Sequence, residues 1–497
     1  MIAPRQSFPT WDRIFLEFAN FFPSQTPIAE LQDDSRCIGS HPGPGRRVFF
    51  ARLGVKQDGH CHIGEAMANG ADTLVVNKDW QGQYDLPTLR VADTRELWST
   101  AQRRWYGRPD EHLAIHAVTG TNGKTTTVCA LQHLLQPSLC GRLSTVDGHG
   151  AVGPAPSTTP AVSATCQALA TAIAAGRRHF ALEISSHAMD QKRLWDLHIA
   201  TATFTNLGHD HLDYHGGVEN YFAAKCRLFD GRNGAVPKIC SINRVDRFGR
   251  RLWQLLRAKN ILAQRFGTDG ACDCQLLGWQ PDGDGMRLRF RIFGAVGTAR
   301  VALLGRHNAW NLLAAMAVAA HYFPIDQLLA RLESFAPPPG RLERIPLPHN
   351  AVAFVDYAHT PDALRATLLG LRRHFPQKKI VLIFGCGGER DRKKRPAMAA
   401  VAETFADLSI VTNDNPRGES PAAIASEIAS GFRLSTHRSI LDREEAIAVG
   451  YDLAVCWGGI LVVAGKGHES TQEIVGQFFP FHDGSVVAGL AKKSHRF

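Results

Sequence analysis

Residues 113–127 read LAIHAVTGTNGKTTT. Leu113–Val118 is a short apolar run of the kind that forms a buried strand, and a helical pattern follows over Val128–Leu135. Between them lie Gly120, Thr121, Asn122, Gly123, Lys124, Thr125 and Thr126. Glycines let the backbone curl so that its amides point at phosphate oxygens, and the helix N-terminus adds partial positive charge. Lys124 is placed to reach the β- and γ-phosphates of a nucleotide, and Thr125 to offer its hydroxyl to Mg²⁺. The longer form of this loop requires glycine at position 118, where this chain has Val118, so the loop is a short variant. Strand, glycine-rich turn and helix announce an α/β domain that binds a nucleoside triphosphate. They do not name the reaction.

Outward from this loop the chain divides into three. Before residue 110, strands are expected at Arg47–Leu53 and Thr73–Val76 with a helix over Ile63–Asn69. After the loop come a helix near Val162–Ala175 and strands at Phe180–Ile184 and Ala202–Thr205. Pro337-Pro338-Pro339-Gly340 cannot continue a helix and reads as a linker. Beyond it, strands at Ala353–Tyr357, Lys379–Phe384, Leu408–Thr412 and Ile460–Ala464 alternate with helical stretches, which predicts a mainly parallel, Rossmann-like sheet with ligand loops at the strands' C-terminal ends. The expected architecture is α/β in three domains: 1–110, 111–338 (a phosphate-loop ATPase) and 339–497.

The 497 residues suit about three domains. No apolar run approaches the ~20 residues of a membrane span. Nothing at the N-terminus combines the charged start, apolar stretch and cleavage site of a secretion signal, so a cytoplasmic location is expected. Eleven cysteines, an odd count without metal-site spacing, read as free thiols in a reducing compartment. The net charge of +10 is spread over the chain without a basic tail, which favours phosphorylated and carboxylated small molecules over nucleic acid. The expected assembly is a monomer.

Downstream motifs add the chemistry. Glu183-Ile184-Ser185-Ser186-His187 follows a strand, with Gln191 and Arg193 close behind. Asp210-His211-Leu212-Asp213-Tyr214-His215-Gly216 comes next, then Tyr221-Phe222-Ala223-Ala224-Lys225. Asn308, Asn311, Pro339-Gly340-Arg341-Leu342-Glu343 and Val355-Asp356-Tyr357-Ala358-His359 continue the series. Gly385–Asp391, Asp414-Asn415-Pro416-Arg417 and Gly465-Lys466-Gly467-His468-Glu469 complete it. With these motifs, in this order, the chain resembles the Mur ligases over nearly its whole length.

The resemblance implies an ATP-dependent amide ligase that activates a carboxylate as an acyl phosphate, which an amine then attacks. Carboxylate and γ-phosphate repel, so cations must bring them together. By resemblance Lys124 and Mg²⁺ supply that charge, Glu183 and His211 hold a second Mg²⁺, and Lys225 carries a CO₂-derived carbamate that turns a cation into an oxygen ligand. Asn308 and Asn311 are implied at the adenine, with Arg341 and Asp356 closing on the nucleotide. Thr158, Thr159, Ser185, Gln191 and Arg193 are implied to hold a UDP-muramoyl dipeptide, and Ser35 and Arg36 its uridine end.

Arg390, Asp414, Asn415, Pro416, Arg417, Gly465 and Glu469 match the pocket of the members that add meso-diaminopimelate. An Arg fork can take the distal carboxylate of that amino acid, and a Glu its ammonium. Lysine lacks the carboxylate and would leave the Arg unpaired. Competing readings are a sister ligase adding another amino acid such as L-lysine, and a catalytically silent paralogue. Lys124, Glu183, His211 and Lys225 are all retained, which counts against the second. The chain departs from the usual family text at His209 (Arg), His307 (Phe), Thr471 (Tyr) and Ser157 (Asn), and Phe481-His482-Asp483 keeps only part of an acidic pair. None of these removes a ligand or charge carrier.

Overall fold

The computed structural model describes residues 8–40, 43–54, 57–148 and 157–494. Three sheets follow one another along the chain. The first is four-stranded and parallel in the order β1 (Ile28–Gln32), β2 (Arg46–Phe50), β3 (Thr73–Asn77), β4 (Thr88–Val91). The second has nine strands: β5 (Ala114–Thr119), β6 (Cys140–Leu143), β7 (His179–Ile184), β8 (Thr201–Phe204), β9 (Ile239–Asn243), β10 (Ala263–Gly267), β11 (Cys274–Asp282), β12 (Gly285–Ile292) and β13 (Ala295–Val301). Their spatial order is β13-β12-β11-β10-β9-β8-β5-β7-β6. The third has six, β14 (Glu343–Pro346), β15 (Val352–Asp356), β16 (Ile380–Phe384), β17 (Leu408–Val411), β18 (His437–Ser439) and β19 (Ile460–Ala464), ordered β14-β15-β19-β16-β17-β18. A hairpin, β20 (Thr471–Ile474) and β21 (Gln477–Pro480), stands apart.

β5 pairs in parallel with β7 and β8, and its side chains enter the cores on both faces of the sheet, Val118 in one and Ile115 and Ala117 in the other, as a run without alternation requires. The helix after it spans Lys124–Leu134 and begins four residues before the expected Val128. Thr125, Thr126 and Thr127 are poor helix formers in isolation, but here they are buried in its first turn, and the long helix Arg306–Ala319 packs across it. Tertiary burial overrides propensity.

The expected strands in the first and third domains are present, with ends displaced by no more than three residues and Ile460–Ala464 matched at both ends. The antiparallel extension β11–β13 was not anticipated. Its middle strand, GMRLRFRI, alternates buried apolar with exposed arginine, the pattern of a sheet with one wet face. Each sheet carries an apolar core on both faces.

The helix Thr94–Trp105 of the first domain docks on the second through Arg103, which pairs with the buried Asp110 at 2.6 Å and with Asp196 at 3.2 Å. The third domain meets the second at Arg344–Asp284 (2.8 Å) and His209–Asp391 (2.8 Å), and the irregular segment 336–340 connects them. Among the described residues no helix is long and apolar enough to cross a membrane. All eleven cysteines are free.

Candidate active site

The C-terminal ends of β5, β7 and β8 on one sheet, and of β15 on the other, open onto a shared cavity of about 480 Å³. Parallel strands end in loops on one side, which is where an α/β sheet binds ligands. Thr121–Thr126, Glu183, His211, Asn308, Asn311, Arg341 and Asp356 all line it.

Gly123 has φ +87°, and a Cβ there would lie 2.2 Å from Asn311 Oδ1, so only glycine admits both the turn and the helix behind it. Asn206 braces the loop, accepting from Asn122 N–H at 2.9 Å and donating to its carbonyl at 3.0 Å. Lys124 Nζ donates to the Gly120 and Thr121 carbonyls, both at 3.0 Å. Burial lowers its pKa, opposed by the charge of Glu183.

Glu183 is fully buried. Its Oε1 accepts from Thr145 N–H at 3.2 Å and Thr145 Oγ at 3.4 Å, while Oε2 has no partner among the described residues. Desolvation raises its pKa against the pull of Lys124 and Arg341. A buried carboxylate oxygen left unpaired is costly by about 1–3 kcal/mol unless something positive binds it. Among the described residues no three His, Cys, Asp or Glu side chains are arranged to hold a metal unaided. Mg²⁺ commonly takes one or two carboxylates and completes its shell with phosphate oxygens and water. Glu183 Oε2 and the Thr125 hydroxyl fit such a cation.

His211 adopts φ +53° at the start of the short helix Leu212–His215, and burial holds its pKa down at about 3 despite the adjacent Asp210. Its imidazole is therefore neutral, the form that ligates. Lys225 is 1% exposed, its Nζ donating to the Gly120 carbonyl at 3.0 Å and lying 4.6 Å from the Tyr221 ring centroid. Burial first, then Lys124, push its pKa well below that of an ordinary lysine.

Arg341 reaches from the linker into the phosphate loop: Nη2 donates to Thr125 Oγ at 2.8 Å, and its guanidinium lies 4.5 Å from the Tyr357 ring centroid. Asp356 is spent on structure, accepting from Leu342 N–H (2.8 Å), Ala358 N–H (3.1 Å) and Thr367 Oγ (3.0 Å). Asn311 donates to Asn308 Oδ1 at 3.0 Å, and Asn308 donates to the Leu304 carbonyl at 2.9 Å.

A second group forms beside the cavity. Thr159 Oγ accepts from Ser185 N–H at 2.9 Å, and Ser185 Oγ caps the helix Ser186–Asp190 by accepting from Ala188 N–H. Arg193 donates to Gln191 Oε1 at 2.6 Å and to the Thr159 carbonyl at 2.6 Å. Thr159, Ser185, Gln191 and Arg193 are thus one network, and Thr158 lines the cavity next to it. Ser35 and Arg36 stay in the first domain. Ser35 Oγ donates to Glu65 at 2.6 Å and Arg36 folds back on Asp34 at 2.7 Å.

In the third domain Asn415 donates to Glu469 Oε2 at 2.8 Å, and the buried Lys466 ammonium joins Asn415 Oδ1 (3.1 Å), Glu469 (3.0 Å) and the Thr471 carbonyl (2.7 Å). Pro416 is buried between Asn415 and Arg417. Gly465 has φ +114°, and a Cβ there would meet Asp414 Oδ2 at 2.5 Å. Burial raises the Asp414 pKa, but the charges of Lys466 and Arg443 outweigh it and hold the carboxyl below its usual value. Arg390 and Arg417 flank Gly387: a Cβ on that residue would lie 2.9 Å from Arg417 Nη1 and 3.7 Å from Arg390 Cγ.

Several participants were not singled out from sequence. Thr145 and Asn206 act only through contacts made in the fold. Trp310, Val245 and Phe266 give the cavity an apolar wall, and nothing in their sequence context marks them. Lys466 was quoted within a motif without a role. A buried lysine so close to a glutamate, Glu469, was the available signal.

A phosphate-loop sheet facing a second α/β domain, with a linker arginine crossing between them, defines a multidomain nucleotide-using enzyme. Residues 118–319 match the Mur ligase middle domain, and residues 340–467 match the Mur ligase, glutamate ligase domain. The chain is 39% identical over 467 residues to the UDP-N-acetylmuramoyl-L-alanyl-D-glutamate–2,6-diaminopimelate ligase of Ectopseudomonas mendocina, an alignment covering 92% of this chain and 93% of the relative. The ligase of the same name from Pseudomonas aeruginosa is 38% identical over 478 residues, covering 92% and 93%. A solved structure of a UDP-N-acetylmuramoyl-L-alanyl-D-glutamate–2,6-diaminopimelate ligase superposes with a TM-score of 0.68 at 31% identity, covering 98% of this chain and 99% of that one. The chain belongs to the Mur ligase family.

Proposed function

We propose that this chain is the ATP-dependent ligase that joins meso-2,6-diaminopimelate to UDP-N-acetylmuramoyl-L-alanyl-D-glutamate during synthesis of the peptidoglycan precursor. It would act as a cytoplasmic monomer with domains at 1–110, 111–338 and 339–497. The observation that carries the reading is the layout of charge. Lys124 and Arg341 converge with the unpaired Glu183 oxygen at the phosphate loop, and one turn of the facing domain carries Arg417 together with Asn415, which holds Glu469.

The glutamyl carboxylate attacks the γ-phosphorus of ATP and ADP leaves, giving an acyl phosphate. The amine of the incoming amino acid then attacks the carbonyl carbon, and phosphate departs from the tetrahedral intermediate. Two loop carbonyls hold the Lys124 ammonium at the phosphate loop, and its third N–H is left for developing phosphate charge. Thr125 would hold one Mg²⁺, and Glu183 and His211 a second, which would supply further charge neutralisation when bound. Burial pushes the Lys225 pKa well below that of an ordinary lysine, which favours the neutral amine that adds CO₂, and its carbamate would present an oxygen toward the same charges. Arg193 with Gln191, Ser185, Thr158 and Thr159 would seat the dipeptide, and Ser35 and Arg36 the uridine end. Asn308 and Asn311 would meet the adenine, with Arg341 and Asp356 fixing the linker over the nucleotide. Arg390, Asp414 and Gly465 would complete the amino-acid pocket.

Expression in a bacterium whose own diaminopimelate-adding ligase can be shut off tests the reading. Growth on this chain, and its loss with Lys124→Ala, is expected. Accumulation of the unextended UDP-muramoyl dipeptide despite soluble protein would refute it.

A further inference from the structure

The turn carrying Arg417 is not self-supporting. Arg417 adopts φ +52°, a left-handed conformation that a non-glycine residue holds only when its surroundings impose it. The hairpin β20–β21 imposes it here. Arg417 N–H donates to the Glu473 carbonyl at 3.1 Å, and Val475 N–H donates to the Arg417 carbonyl at 2.8 Å, so the turn is stitched to β20 as a one-residue parallel bridge. Glu473 N–H donates to Asn415 Oδ1 at 3.0 Å, and Gln472 donates to the Asp414 carbonyl at 2.8 Å.

The same residue grips the side chain. Arg417 Nε lies 3.1 Å from Glu473 Oε2, and Nη1 donates to the Gly388 carbonyl at 2.7 Å. Nη1 is thereby hydrogen-bonded and Nε held in an ion pair, and among the described residues Nη2 donates no hydrogen bond. A guanidinium held on both flanks, at Nε on one and Nη1 on the other, has lost its rotamer freedom before any ligand arrives and keeps Nη2 for a carboxylate. Both side chains are mostly buried, at 19% and 26% exposed, so the pair is shielded from the solvent screening that weakens exposed ion pairs.

Building on the proposed function, we infer that Glu473 is a positioning residue for amino-acid selection, acting through Arg417 and touching neither nucleotide nor dipeptide. It sets the guanidinium where the distal carboxylate of diaminopimelate must arrive, and it prevents a swing that would let lysine be tolerated.

The test is steady-state kinetics on the full chain with ATP, Mg²⁺ and UDP-muramoyl dipeptide, varying meso-diaminopimelate and L-lysine. Glu473→Ala is expected to raise the KM for diaminopimelate about tenfold, the scale of one charge-assisted hydrogen bond, and to leave kcat and the KM for ATP within about twofold. Glu473→Gln, which keeps an acceptor for Nε, should recover most of the loss. In an Arg417→Ala background, Glu473→Ala should add nothing. An unchanged diaminopimelate KM, or a full additive loss in the Arg417→Ala background, overturns the assignment of Glu473 while leaving the ligase reading intact. A wild-type enzyme that does not turn over diaminopimelate overturns the functional reading and this inference with it. Unchanged KM for ATP in each variant shows that the fold has survived the substitution.

Discussion

Glu183 is the residue at which folding and catalysis pull hardest against each other. Burial raises its pKa, and one of its oxygens is unpaired, so it costs stability in the ligand-free protein. Its folded pKa lies above its unfolded value, so the cost is present above the unfolded pKa and is relieved as pH falls toward 4.5, the ordinary glutamate value. Glu183→Gln should therefore raise the unfolding midpoint of the ligand-free protein at pH 7, with the gain shrinking toward pH 4.5, and should lower turnover at least about 100-fold. Thermal denaturation across pH and a phosphate-release assay measure both. A variant less stable than the parent at pH 7 would remove the argument for a site that waits for positive charge. At this scale Lys124 was marked by the phosphate-loop motif itself, while Glu183, His211 and Arg417 were marked only by the resemblance; Lys124, Glu183 and His211 line one cavity. Thr145 and Glu473 were not legible, because a hydroxyl or a carboxylate that acts by holding another side chain looks like any other until the chain folds.

Among the elements, β5 is both the spine of the central sheet and the root of the phosphate loop. His116 lies within it, fully buried, with Nδ1 2.9 Å from Thr201 Oγ and Nε2 3.2 Å from His179 Nδ1. Burial, then the neighbouring His179, lowers its pKa to about 3. A histidine held neutral in the folded state contributes stability that is present above its unfolded pKa and is lost as pH falls. Between pH 7 and pH 5 this one group should remove about 2 kcal/mol of folding stability. Urea unfolding at the two pH values, compared with His116→Asn, would show a smaller drop in the variant, and equal drops would contradict the account. β5 itself was readable because it is an apolar run, interrupted only by His116, between a polar stretch and glycines. β11–β13 was not, because its one-sided alternation is diluted by Gly278 and Pro281 and resembles a polar connection.

At the scale of the whole molecule, Arg341 joins the linker to Thr125, while His209–Asp391 and Arg344–Asp284 tie the second and third domains outside the cavity. His209 is about half exposed, so its pair with Asp391 is worth no more than about 0.2–1 kcal/mol, enough to bias a domain equilibrium but not to lock it. Asp391→Ala should raise the KM for the dipeptide two- to fivefold and reduce the compaction seen by small-angle scattering on adding an ATP analogue with dipeptide. His209→Ala in that background should add no further effect. No compaction in the parent protein would contradict closure of the third domain over the second.

The central claim is that this site spends ATP to join diaminopimelate, and it is tested most directly by phosphate release from purified protein with ATP, Mg²⁺ and UDP-N-acetylmuramoyl-L-alanyl-D-glutamate, comparing meso-diaminopimelate with L-lysine. The account predicts turnover with diaminopimelate and a UDP-muramoyl tripeptide by mass spectrometry, with lysine at least about 100-fold poorer because it leaves Arg417 unpaired. Equal or better turnover with lysine, or none with either, would contradict it.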